Sequence, residues 1–174
     1  MNYIIYTLLI ASLFSCQMNA QFVKTASCQN SDFDKKVNSY LSYSAPVISV
    51  KEAHDKQTEY TFLDAREYNE FTVSHLPGAK YIGYDDFDIR NVSELNKDAK
   101  IVVYCSIGYR SEKIATKLRK QGYKNVYNLY GSIFEWANMG YDLKDKENKL
   151  TSTVHTYNKS WSKWLNSPTV KKTW

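Results

Sequence analysis

The sequence predicts an α/β domain of three layers, α/β/α, built on a central, mostly parallel sheet of five strands. Three observations lead there. Five short apolar or β-branched runs alternate with segments of helical spacing, the pattern left by strands joined through crossover helices. One run, Ile101-Val102-Val103-Tyr104, is apolar throughout, as a strand covered on both faces must be. The length, 174 residues, suffices for one core held without disulfides or metals.

In chain order, residues 21–30 are polar and aperiodic and read as a flexible tether. A helical segment at 31–45 follows, capped by Ser31 or Asp32, with Phe33, Val37, Tyr40 and Leu41 along one stripe. It ends before Pro46, because the residue ahead of a proline is pushed out of the helical region. The main domain occupies 46–143. Its strands are expected at 47–50, 61–64, 79–82, 101–104 and 126–129, and its helices at 51–57, 67–71, 111–121 and 132–138, the last two stopped by Gly122 and Gly140. Right-handed crossovers bring the loops after the strands to one carboxyl edge, so Asp64 and Cys105 share it. Residues 144–174 are a C-terminal extension packed on the domain. Asp142 to Lys149 is charged enough to stay solvated, and Trp161, Trp164 and Leu165 have the spacing of a short helix.

Lysine and arginine total 23 against 18 acidic residues, a formal charge of +5 with no basic block beyond Lys171-Lys172. That excess suits a small anionic ligand and does not suit nucleic acid. Asp64, Glu67, His75, Asp85 and Asp86 lack characteristic ligand spacing, so no metal or cofactor is expected. Residues 1–20 read as an export signal, because Tyr3 to Phe14 is an uncharged, mostly apolar run of 12 residues, too short to span a bilayer. Cleavage after Ala20 and lipidation at Cys16, in a stretch that resembles a bacterial lipoprotein box, are both open. Either route predicts an exported chain, periplasmic or lipid-anchored in the bacterial envelope, the second with membrane attachment through Cys16. Cys28 and Cys105 then remain. A structural bridge, a resolving role for Cys28 on its tether, and a free thiol without a role all fit the sequence. A monomer is expected.

The chemistry concentrates in Cys105-Ser106-Ile107-Gly108-Tyr109-Arg110-Ser111, after a buried strand and before a helix. A cysteine there faces unpaired amide donors and the positive end of the helix dipole, both of which favour the thiolate. Gly108 lets the loop curl its N–H groups into an anion cradle. Arg110 adds a guanidinium fork. Cys105 is therefore the expected nucleophile with Arg110 as its catalytic partner, and Ser106, Ile107, Gly108, Tyr109 and Ser111 are the expected substrate-binding residues.

Together with Phe62-Leu63-Asp64-Ala65-Arg66, His75-Leu76-Pro77-Gly78-Ala79 and the stretch from Gly122-Tyr123 to Gly131, this loop resembles the rhodanese-like sulfurtransferase family, single-domain type. The resemblance implies that Cys105 takes a sulfane sulfur from thiosulfate or a persulfide donor. It would pass that sulfur, as a persulfide, to cyanide, a thiol or a partner protein's cysteine. It also implies supporting roles for Asp64, Arg66 and His75. The six residues from Cys105 to Arg110 resemble the sulfurtransferase loop, whereas phosphatases of the same fold have seven. The family often has two glycines after the fifth strand, and here Ser132 follows Gly131, expected to cap the next helix. The alternative reading is a non-enzymatic rhodanese-like module that binds a partner or senses redox state.

Overall fold

The computed structural model describes residues 21–174, so the expected export signal and Cys16 lie outside the described residues. The central sheet contains β1 (Val47–Ile48), β2 (Thr61–Asp64), β3 (Lys80–Tyr81), β4 (Lys100–Tyr104) and β5 (Asn125–Leu129), all paired in parallel in the order β1-β5-β4-β2-β3. Side chains of β4 alternate between two cores. Val102 and Tyr104 join Phe62, Leu129 and Phe134 on one face, while Ile101 and Val103 join Leu63, Val126 and Ile114 on the other. Helix α4 (Tyr109–Lys120) covers the second face, and α1 (Ser31–Asn38), α2 (Val50–Asp55) and α5 (Ser132–Asn138) contribute to the first. Burial on both sides is why Ile101–Tyr104 is apolar, while Lys100, at the exposed start of β4, is charged.

Strand order reverses between β2 and β4. From β2 the chain passes through α3 (Tyr68–Val73) outward to β3, and from β4 through α4 to β5 on the opposite side. The loops leaving the carboxyl ends of β2 and β4 therefore diverge and open a crevice. Asp64 is in register with Tyr104, the residue before Cys105.

Local chemistry moves some boundaries. The Ser49 hydroxyl accepts the Glu52 amide (3.1 Å), so Val50, expected in the strand, instead begins α2. Residues 21–30 are not a flexible tether. Gln21 and Phe22 bond to carbonyls of Ser42 and Tyr43, the Cys28 amide donates to Asp34 (2.9 Å), and the Gln29 amide donates to Glu135 (2.7 Å). The backbone is held by fixed partners while most of the side chains stay exposed. Cys28 is buried against Gly131 and is not disulfide-bonded; of the three readings open in the sequence, the bridge is not formed here and the resolving role loses its mobile tether.

Glu135, beside Cys28, is buried with one carboxylate oxygen unpartnered, and burial holds its carboxyl above the ordinary range. The folded state then binds this proton more tightly than the unfolded chain, and stability falls as pH rises through that range. Glu135→Gln removes the charge and keeps the shape. It is expected to stabilise the fold by about 1 kcal/mol at pH 7, with the gain shrinking at acid pH, as read by urea denaturation at both.

The C-terminal part departs most from expectation. Within the stretch expected to be solvated, β6 (Leu143–Lys144) pairs antiparallel with β7 (Leu150–Thr151), and Leu143 is buried. Farther on, β8 (Thr153–His155) pairs in parallel with β9 (Lys171–Thr173). Trp161–Trp164 is a 3₁₀ turn instead of an α-helix, the form short pieces favour. Trp164 stacks on Phe33 at 5.7 Å, which joins the extension to α1.

Candidate active site

Cys105 follows β4 directly and is 1% exposed. Gly108, at φ +120°, turns its amide onto the sulfur, with N to Sγ at 3.2 Å; a side chain here would strain the loop. Ser111 Oγ lies 3.5 Å from Sγ and 2.7 Å from Asn128 Oδ1. A hydroxyl has one proton to give, and the nearer oxygen takes it. Asn128 Nδ2 donates to the Gly108 carbonyl (3.0 Å), so this one amide, buried in β5, fixes both ends of the turn. The sequence reading passed over Asn128, although a polar residue inside an otherwise apolar run was the available signal.

Ser132 does not cap α5, since Gly131 holds that position. Instead its hydroxyl accepts the Cys105 amide (3.1 Å) and donates to the Leu129 carbonyl (3.0 Å). Ser132 sits at φ +52°, a left-handed conformation that costs a non-glycine residue about 1–2 kcal/mol. These two bonds offset that strain and attach the cysteine's backbone to β5.

Arg110 does not stand open in the loop. Glu70 grips its guanidinium twice, Nη1 to Oε2 at 2.7 Å and Nη2 to Oε1 at 2.9 Å, and Ser106 Oγ accepts a further bond at 3.0 Å. Burial pushes the Glu70 carboxyl up, but bonding to Arg110 holds it below its ordinary range. Glu70 was missed because a glutamate in a short helix reads as solvated. The trace it left is Glu67-x-x-Glu70, where Glu70 Oε2 accepts the Glu67 amide (3.1 Å) at the start of α3.

Burial likewise opposes ionisation of Cys105. The charge of Arg110 and the backbone amides of Ser111 and Gly108 outweigh it and hold the thiol below its ordinary 9.0. Iodoacetamide alkylation followed against pH is therefore expected to show a midpoint below 9.0. Arg110→Gln, which deletes the positive charge, is expected to raise that midpoint and slow alkylation at pH 7 about tenfold.

Asp64 and Arg66 form a fully buried pair, Nε to Oδ1 at 2.9 Å and Nη2 to Oδ2 at 2.6 Å, and Nη2 also donates to the Ser74 carbonyl at 2.5 Å. They tie the loop after β2 to the end of α3. His75 stacks on Phe71 at 4.1 Å, has Nδ1 3.1 Å from the Phe71 carbonyl oxygen, and bridges through its backbone to Lys144. These bonds all run to the framework around the loop.

A cavity of about 280 Å³ opens over the loop, lined by Ser106, Ile107, Tyr109 and Arg110. Buried Cys105, Gly108 and Ser111 form the layer behind. Tyr40, just past α1, and Tyr157 and Trp161 of the C-terminal extension complete the wall with Glu67, Tyr84 and Asp85. Sequence spacing gave no sign that these separated segments meet here.

Comparison with known proteins places this geometry. The Rhodanese-like domain profile matches residues 49–139. The tRNA uridine(34) hydroxylase of Erwinia tasmaniensis is 39% identical over 84 residues, covering 45% of this chain and 24% of that protein. The "Putative sulfur carrier protein YrkF" of Bacillus subtilis is 34% identical over 97 residues, covering 54% of this chain and 52% of that one. The chain thus spans between about a quarter and a half of the length of these curated relatives. Among solved structures, the rhodanese-like domain of the Anabaena sp. Alr3790 protein superposes with a TM-score of 0.54 at 23% identity, covering 58% of this chain and 80% of that one, a likeness of fold. The profile takes in just over half of the chain, from the cap of α2 to the end of α5 and including the whole cysteine loop, and the chain belongs to the rhodanese-like domain family.

Proposed function

We propose that the protein is a sulfurtransferase in which Cys105 carries a sulfane sulfur as a persulfide. The donor is thiosulfate or an organic sulfane compound, and the acceptor is cyanide, a thiol or a partner protein's cysteine. The observation that carries this reading is the Sγ of Cys105 held 3.2 Å from the Gly108 amide at the start of α4, in surroundings that favour the thiolate. The thiolate attacks the donor's outer sulfur, the donor's S–S bond breaks, and its electron pair leaves with sulfite or the equivalent anion. The resulting persulfide anion is stabilised by the same amide and by the charge of Arg110. An acceptor thiol then takes the outer sulfur and the thiolate returns. Asp64, Arg66 and His75 hold the surrounding loops, and the apolar run at 3–14, read as part of an export signal, supports a place for the reaction in the cell envelope. The name of the Bacillus subtilis relative, a sulfur carrier, agrees with transport of sulfur on this domain. Incubation with a sulfane donor followed by cyanide tests the reading. Repeated formation of thiocyanate is the expected result, and its absence with every donor would contradict it.

A further inference from the structure

Resting on the sulfurtransferase reading, the pocket beside the Cys105–Arg110 loop, with Cys105 in the layer behind it, bears on the choice of sulfane donor. Its one lining cation among the described residues, Arg110, is already bonded twice to Glu70 and once to Ser106, lies 3.9 Å from Glu67, and has the Tyr157 ring 5.4 Å from its guanidinium carbon. Glu67 and Asp85 line the cavity as well. Three carboxylates thus stand against one guanidinium, before the thiolate's own charge is counted. Lys36 and Lys113 lie nearby, but they sit over the rings of Tyr40, Trp161 and Tyr109 and do not line the cavity. Burial and Asp85 push the Glu67 carboxyl up against the pull of Arg110, as expected where negative charge is in excess.

What the walls offer instead is aromatic surface. Tyr40 meets Trp161 edge-on at 5.5 Å and Tyr109 edge-on at 6.0 Å, a continuous arc from three distant segments. Tyr157 adds a ring from a backbone held at φ +65°, a conformation found at functional sites more often than elsewhere. Such a mouth binds flat or aliphatic bodies and repels small multivalent anions.

We propose that the preferred donor is an organic sulfane compound with an apolar body and at most one negative charge, recognised by Tyr40, Tyr109, Tyr157 and Trp161, and that thiosulfate, a dianion, is disfavoured by Glu67 and Asp85. With an organic thiosulfonate the Cys105 thiolate attacks the outer sulfur, the bond between the two donor sulfurs breaks, and the electron pair leaves on the sulfinate. The persulfide anion remains, so charge and atoms balance without any added oxidant or reductant.

The test compares kcat/KM for benzenethiosulfonate, methanethiosulfonate and thiosulfate with one thiol acceptor. The first two share a charge and differ in the ring, and the last two differ in charge. Benzenethiosulfonate is expected to exceed thiosulfate at least tenfold and methanethiosulfonate at least fivefold. Trp161→Ala is expected to erase the advantage of the ring. The double variant Glu67→Gln, Asp85→Asn keeps the core intact, and it is expected to raise the thiosulfate value several-fold while moving benzenethiosulfonate less. Thiosulfate equal to or better than benzenethiosulfonate, or ratios unmoved by both variants, would overturn the proposal while leaving sulfur transfer standing. Failure of all three donors to load Cys105 would overturn both.

Discussion

Cys105→Ser is expected to lose sulfur transfer by on the order of 10³-fold or more, with stability reduced by less than about 2 kcal/mol. The serine oxygen can still accept the Gly108 amide, so the loop keeps its shape, but a hydroxyl ionises far too weakly to attack a sulfane sulfur and cannot hold it as a persulfide. Cys28 cannot take over. Burial, together with the carboxylates of Glu135 and Asp34, drives its thiol up, whereas the charge and donors around Cys105 drive that thiol down. The two buried thiols therefore have opposite electrostatics, and only the surroundings of Cys105 favour a nucleophilic thiolate. Turnover and thermal melting measured on the same preparation separate the two effects. A variant that keeps substantial turnover, or one that loses it only by unfolding, contradicts the assignment.

Arg66→Ala is expected to have the largest effect on stability, about 3–5 kcal/mol, against the 5–15 kcal/mol that typically holds a domain together. Arg66 and Asp64 are both fully buried, so deleting the guanidinium leaves a carboxylate and the Ser74 carbonyl without their partner in a space water does not reach. It also removes packing beside the Tyr104 ring. The Tyr104 hydroxyl accepts the Leu76 amide (3.1 Å), so the damage runs along the edge where the cysteine loop begins. Arg66→Lys is expected to recover only part of the loss, because an ammonium cannot reproduce the two-pronged bond to Asp64 together with the bond to Ser74. Urea midpoints for the three proteins check this. A midpoint for Arg66→Ala within error of the native one would show that the pair adds nothing.

The sheet was legible because its signals are local. Thr61–Asp64 and Ser132–Asn138 fall where composition and the flanking residues placed them, and the apolar run at β4 announced burial on both faces. The cysteine loop was legible for the same reason, since strand, glycine and helix start lie within a few residues. What escaped depends on contacts between distant segments. Glu70 is hidden in a helix until Arg110 arrives from 40 residues away. The strands β8 and β9 are three residues each and, among the described residues, pair only with one another, so neither carries a period long enough to read. Trp161 has helical spacing, but it was the fold of the extension that turned it toward Tyr40 and the pocket. Residues 21–30 looked mobile because polar side chains suggest water, while the backbone amides of Cys28 and Gln29 are committed to Asp34 and Glu135 and that of Phe22 to the Tyr43 carbonyl.

The central claim is that one sulfur atom travels on Cys105, and peptide mapping by mass spectrometry after donor treatment addresses it most directly. The account predicts a gain of a single sulfur on the peptide containing Cys105, none on the peptide containing Cys28, and loss of that sulfur when a thiol acceptor is added. An unmodified Cys105 after exposure to both thiosulfate and benzenethiosulfonate, or a sulfur found on Cys28 instead, would contradict it.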